Sequence, residues 1–91
     1  MPTRADTPTA EVVLDVLRDA VATVLEIDPR GIGRGTAFSD LEADSLALVE
    51  VAEIVEERLA PLARQPFRFP DSELEALVTV GEAVDYALAR L

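Results

Sequence analysis

The sequence predicts an all-α fold, a small bundle of four helices, three longer and one short. Three observations lead there: apolar residues recur at three- and four-residue steps in separate segments, no stretch alternates long enough to make a strand, and Gly and Pro cluster between the periodic segments. With 91 residues and a hydrophobic fraction of 49 %, the chain is sized for a single domain with one small core, 1–91.

The first helix is carried by Val12, Val13, Val16, Leu17, Ala20, Val21, Val24 and Leu25, with Glu11, Asp15, Arg18 and Asp19 between them. Thr7 or Thr9 can cap it and Pro8 suits a first turn; residues 1–8 are expected to be flexible. Pro29 with Gly31, Gly33 and Gly35 ends the helix and opens a loop to about Asp40, in which Ile27, Ile32 and Phe38 are expected to plug the core. A second helix should run from Asp44 or Ser45 to Leu59, because Asp44 is a good N-cap and no Gly or Pro follows until Pro61. Residues 60–69, with Pro61, Pro66, two Arg and two Phe, read as an extended connection. Pro70 and Asp71 then lead into a short helix, where Ser72 and Glu75 have capping-box spacing, and Thr79 with Glu82 repeats that spacing before a last helix whose buried stripe is Val80, Val84, Ala87, Leu88 and Leu91.

Composition removes several function classes. Eighteen acidic residues against eight basic ones give a net charge of -10, so nucleic acid and anionic membranes are repelled and natural partners should present basic patches. No apolar run approaches the ~18 residues of a membrane span, and the start has no secretory-leader pattern. Cysteine is absent, which suits a reducing cytoplasm and removes thiolate chemistry. Histidine is absent too, and with it Ser-His and Cys-His catalytic pairs, so a self-sufficient enzyme is not expected.

The second helix holds the functional signal. With Ser45 at zero and about 100° per residue, Leu48, Val51, Ala52, Val55 and Leu59 fall within roughly 240° to 340° and should pack inward. Glu50, Glu53, Glu56 and Glu57 fall between about 20° and 140°, with Leu46 near 100° among them, so an apolar side chain should stand exposed among acids. Asp40 to Glu57 holds seven acidic residues and no basic one. Asp40, Glu42 and Asp44 at the helix start are favoured there by the helix dipole, whereas Glu53, Glu56 and Glu57 near its end are not. Local stability therefore explains the first three and leaves the last three for a partner, against the plain alternative of a solvated face. A calcium loop from Asp40, Glu42 and Asp44 fails, since Ser45 stands where the sixth-position Gly belongs and Val51 where the twelfth-position Glu belongs. No metal is expected.

The segment Asp40-Leu41-Glu42-Ala43-Asp44-Ser45-Leu46, the acidic helix after it, Pro70-Asp71 and the later Thr79-Val80-Gly81-Glu82-Ala83-Val84-Asp85-Tyr86 resemble, in this order and spacing, the acyl carrier protein family over nearly the whole chain. The resemblance implies that Ser45 is where a phosphopantetheinyl transferase attaches 4'-phosphopantetheine from coenzyme A, whose thiol holds acyl groups as thioesters. It implies that Asp44, Leu46, Glu50, Glu53, Glu56 and Glu57 form a docking face for basic grooves on pathway enzymes such as acyltransferases and ketosynthases. The carrier would be a monomer and a substrate, not an enzyme.

Two departures stand out. Glu42 occupies the place where the family usually has Gly, which puts a turn needing positive φ in doubt. The connection from Leu59 to Pro70 is longer than expected for a housekeeping fatty-acid carrier; Pro61, Arg64, Pro66, Phe67, Arg68 and Phe69 read as a lid over the acyl chain, as a partner contact, or as a tolerated insertion. Both point to a discrete carrier of a specialised pathway, polyketide or another natural product. An aminoacyl or peptidyl carrier, a housekeeping fatty-acid carrier, and an acidic helical adaptor without a prosthetic group are the alternatives.

Overall fold

In the computed structural model the described residues are 9–63 and 66–91. The expectations placed on residues 1–8, Thr7, Pro8 and Arg64 lie outside them. Four helices appear among the described residues: α1 (Ala10–Leu25), α2 (Ser45–Leu59), α3 (Asp71–Ala76) and α4 (Val80–Leu88). The all-α expectation of three longer helices and one short one holds. Helix α1 packs against both α2 and α4, and α3 lies against α2. No helix among the described residues is long and apolar enough to cross a membrane.

The caps show why the helices start where they do. Thr9 accepts from the Val12 N–H (3.2 Å) and opens α1; Asp44 accepts from the Ala47 N–H (2.8 Å) and opens α2. Helix α1 ends before Pro29, at Glu26, which adopts a left-handed conformation (φ 58°) while the Ile27 N–H donates to the Ala22 carbonyl (3.1 Å). Ile27 thus belongs to the helix ending, outside the core, and is 37 % exposed instead of plugging it as expected. Ile32 and Phe38 are buried as expected. Val12 is also exposed (43 %), because it stands about 40° beyond Val16 at the edge of the stripe and in the first turn.

The expected capping box of Ser72 and Glu75 is not made. Pro70 takes the cap position, no side chain caps α3, and Ser72 sits inside the first turn. At α4 the box is nearly as expected: Thr79 accepts from the Glu82 N–H (3.2 Å), while the Glu82 carboxylate reaches back one residue further, to the Val78 N–H (2.8 Å). The loop before α2 completes this cap. Its Thr36 carbonyl accepts from the Val80 N–H (2.9 Å) and its Arg34 carbonyl from the Gly81 N–H (2.8 Å). All the first-turn donors of α4 are thereby satisfied, which removes the usual cost of a buried helix start.

One hydrophobic cluster joins all four helices: Val13, Leu17, Ala20 and Val21 of α1, Val51, Val55 and Leu59 of α2, Leu74 of α3, and Val80, Val84 and Ala87 of α4. Leu88 and Leu91, expected in the α4 stripe, are half-buried at its margin. The connection contributes more than a loop would. After a 3-10 turn at Ala60–Leu62, residues 66–70 form neither helix nor strand and both Phe67 and Phe69 enter the core. Phe67 meets Phe69 edge-on (centroids 5.2 Å), and Phe69 stacks on Tyr86 of α4 (5.1 Å).

Four ion pairs among the described residues tie the exterior: Arg18 with Asp15, Arg30 with Asp28, Arg34 with Asp85 and Arg58 with Asp19. All but the half-buried Arg18 are exposed, so the pairs stabilise weakly. The Arg30 guanidinium, followed by the Arg30 backbone N–H, holds the Asp28 carboxyl below its usual range.

Candidate functional site

The start of α2 is built from a buried anchor outward. Phe38 is 4 % exposed and its N–H donates to the Val78 carbonyl (2.9 Å), beside an isolated antiparallel bridge between Ala37 and Thr79. From that anchor the chain makes a 3-10 turn at Ser39–Leu41 and reverses at Glu42. The Glu42 N–H donates to the Ser39 carbonyl (3.0 Å) and the Ala43 N–H to the Phe38 carbonyl (3.1 Å). Glu42 does adopt positive φ, at 59° with ψ 34°. The turn that needs positive φ therefore forms with a glutamate in it instead of glycine, at a steric cost of about 1 kcal/mol.

Asp44 is extended and Ser45 is the first residue of α2, exposed to solvent. The Ala47 N–H is taken by the Asp44 carboxylate and the Leu48 N–H by the Asp44 carbonyl, whereas the N–H groups of Ser45 and Leu46 have no acceptor among the described residues. A group joined to the Ser45 hydroxyl thus starts in water, next to two free donors at the positive end of a helix dipole. Those donors fit a phosphodiester; the carboxylates of Asp40, Glu42 and Asp44 at the same end make it one more negative charge in a negative region. With no histidine in the chain, no imidazole can activate the hydroxyl.

Beside Ser45 a cleft of about 190 Å³ opens between α2 and α3, lined by Leu48, Val49, Asp71, Leu74 and Glu75. Its floor is aliphatic and its α3 rim carries two carboxylates. The sequence had placed Leu74 and Glu75 on a short helix, but nothing local in it signals that this helix lies across from Ser45. The α2–α3 packing alone brings them together.

Along α2 the angular reading holds for the inward face: Val51, Ala52, Val55 and Leu59 are buried and Leu48 is half-buried. On the outward face Leu46 is 68 % exposed, the most exposed large apolar side chain among the described residues, and Glu50, Glu53 and Glu57 are exposed with it. Glu56 differs. It is half-buried and its carboxylate accepts from the Phe69 N–H (2.7 Å), so its place at the end of α2 has an internal cause: it fastens the connection. None of the four ion pairs among the described residues uses an acid between Asp40 and Glu57. No group of three His, Cys, Asp or Glu side chains among the described residues is arranged to hold a metal ion.

Residues 15–87 match the sequence profile of the family described as a phosphopantetheine attachment site. That span is most of the chain. It belongs to the acyl carrier protein family.

Individual carriers are similar along most of their length. The acyl carrier protein of Rubrobacter xylanophilus is 37 % identical over 79 residues, 86 % of this chain and 90 % of its own. That of Lactobacillus acidophilus is 35 % identical over 77 residues, 84 % and 89 % of the two chains. That of Campylobacter curvus is 33 % identical over 75 residues, 81 % and 90 %. The group the carrier holds is 4'-phosphopantetheine, covalently attached.

Proposed function

We propose that the arm is attached at Ser45, and that the carrier holds acyl groups on it as thioesters and presents them to successive enzymes of a specialised pathway, polyketide or a related natural product. The observation that carries the assignment is the position of this hydroxyl: first residue of α2, exposed, preceded by a capping aspartate, and flanked by two N–H groups with no acceptor among the described residues. The bound arm supplies the thiol that a chain without cysteine lacks. Ser45 supplies only an oxygen, and with no base beside it the transferase must activate it. The carrier is then a substrate of its partners and not an enzyme. A chain without a membrane-spanning helix among the described residues and without cysteine suits the cytoplasm.

Docking falls to Leu46 with Asp44, Glu50, Glu53 and Glu57, an apolar side chain ringed by uncompensated acids; Glu56 contributes charge while held by Phe69. Basic grooves on the transferase and on pathway enzymes complement such a face, and encounters should be fast and salt-sensitive. The specialised pathway is supported by the two departures from the common carrier pattern, Glu42 in the turn and the aromatic connection.

Intact mass tests the assignment. Incubation with coenzyme A and a broad phosphopantetheinyl transferase should add one group of roughly 340 Da, and Ser45→Ala should abolish the gain. An equal gain in Ser45→Ala moves the attachment elsewhere; no gain in the wild type leaves an acidic adaptor. Offering acyl- and aminoacyl-activating enzymes to the modified carrier and reading the thioester mass then separates polyketide, fatty-acid and aminoacyl cargo.

A further inference from the structure

Six arginines lie among the described residues, and four of them are ion-paired within the chain: Arg18, Arg30, Arg34 and Arg58. The other two, Arg68 and Arg90, have no carboxylate partner among the described residues, and both line one open concavity with Pro66, Pro70, Tyr86 and Leu91. This is in a chain of charge -10, where carboxylates are in excess. The Arg90 guanidinium is held in place: it lies 3.6 Å over the Tyr86 ring and also donates to the Tyr86 carbonyl (3.3 Å). The Arg68 side chain is exposed, and its backbone is anchored on both sides by the buried Phe67 and Phe69.

This concavity is continuous with the acidic face. Pro66 and Arg68 also line the neighbouring groove whose opposite wall is Glu53, Glu56 and Glu57 of α2. A partner lying along α2 therefore reaches Arg68 next, and Arg90 beyond it.

We infer that the Arg68–Tyr86–Arg90 concavity is a second docking surface, which takes a carboxylate-bearing segment of a partner protein whose basic groove is already seated on α2. The inference rests on the reading of α2 as a docking face. Two forked guanidinium groups suit bidentate carboxylates, Pro66 and Pro70 give the segment apolar contact, and the Tyr86 ring, stacked on Phe69, carries the Arg90 guanidinium. Because the whole chain is negative, this surface does not attract acids from a distance; it acts at contact. It fixes register: a partner rotated on α2 would set its acids against Glu53 and Glu57 and be rejected, so the reversal of charge across Arg68 gives specificity more than affinity.

The test uses the modified carrier, labelled with nitrogen-15, in about 20 mM salt, where charge effects reach roughly 20 Å. Hexaglutamate is expected to shift amides of Arg68, Tyr86 and Arg90 and to leave α2 alone, while hexalysine shifts Glu50 to Glu57. The Arg68→Ala, Arg90→Ala double variant should lose the hexaglutamate shifts and keep the hexalysine ones, and the double Lys variant should restore them in part. Hexaglutamate shifts that are absent, or indifferent to the double Ala variant, overturn the proposal; so do equal shifts with inorganic phosphate, which would make this a general anion site. Shifts of both faces on concentrating the carrier alone would assign the surface to a second copy. Loss of the hexalysine response instead removes the α2 docking reading, so the two failures are distinguishable.

Discussion

Gly81→Ala should destabilise the fold, against what helix propensity predicts. Alanine in place of glycine inside a helix is worth up to about 1 kcal/mol, and Gly81 has no positive φ that would forbid it. The obstacle is proximity. A Cβ at this position would stand 2.9 Å from the Arg34 carbonyl oxygen and 3.3 Å from the Arg34 Cβ, while ordinary contacts begin at 3.4 Å. The 33–36 loop must retreat by about half an ångström, and the oxygen it withdraws is the acceptor of the Gly81 N–H (2.8 Å). Gly81 is buried, so no water replaces it. An unsatisfied buried donor costs about 1–3 kcal/mol, and offset by the propensity gain the net loss is about 1–2 kcal/mol. For a domain of this size that lowers Tm by roughly 5–15 °C. Thermal unfolding followed by circular dichroism, with urea titration to check that the slope is unchanged, measures it. Gly31→Ala and Gly35→Ala are internal controls: nothing lies within 4 Å of a Cβ at either, so both should be neutral or slightly stabilising. A Gly81→Ala variant as stable as the wild type would refute the argument that close approach of the loop holds this helix start.

Four other outcomes are expected. Glu42→Gly should raise stability by about 0.5–1 kcal/mol, since it relieves a left-handed glutamate (φ 59°) at some cost in unfolded-chain entropy; a loss in urea unfolding would contradict this. Glu56→Ala should cost about 1–2 kcal/mol by leaving the Phe69 N–H without its acceptor, whereas Glu56→Gln, which can still accept, should cost less; hydrogen exchange at the Phe69 amide reports the difference directly. Glu53→Lys and Glu57→Lys should leave Tm nearly unchanged but slow turnover by the transferase several-fold at low salt, and an unchanged rate there would return both to the solvated face. Raising NaCl from about 20 to about 500 mM should increase Tm by screening the acids of Asp40 to Glu57, while the same salt weakens partner encounters; a Tm that falls instead would show that the exposed ion pairs outweigh the repulsion.

What was legible in the sequence is what depends on neighbours along the chain. Asp44 as cap, the apolar arc of α2 and the Thr79 cap all rest on contacts within four residues, and the helices begin there. The misreadings come from the third dimension. Ser72 has the spacing of a cap, yet Pro70 already takes the cap position of α3 and leaves Ser72 two residues too late. Ile27 looked like core because it is large and apolar, yet a left-handed Glu26 turns it outward. Glu56 was grouped with its neighbours by angle, and only the return of the connection, thirteen residues later, gives it a partner. Gly81 carries no local mark that distinguishes it from any helical glycine; the reason for it is a carbonyl from the loop before α2.

The connection ties these points to the function proposed. Residues 66–70 are fastened at Glu56, inserted through Phe67 and Phe69, and stacked on Tyr86, so the segment is part of the core. A segment that buries two aromatic rings is also a rigid one, and rigidity is what a recognition surface needs in order to lose little entropy on binding. Its buried side chains stabilise the bundle, and the residues between and beside them, Pro66, Arg68 and Pro70, are exposed at fixed positions. With Ser45 and the acidic face of α2 proposed to serve several partners, such a surface is where this carrier would tell its own enzymes from others. Variants of Arg68 should therefore affect partners unequally, those that present a carboxylate segment beside their basic groove most, a separation that parallel transferase and thioester-loading assays on one protein preparation would reveal.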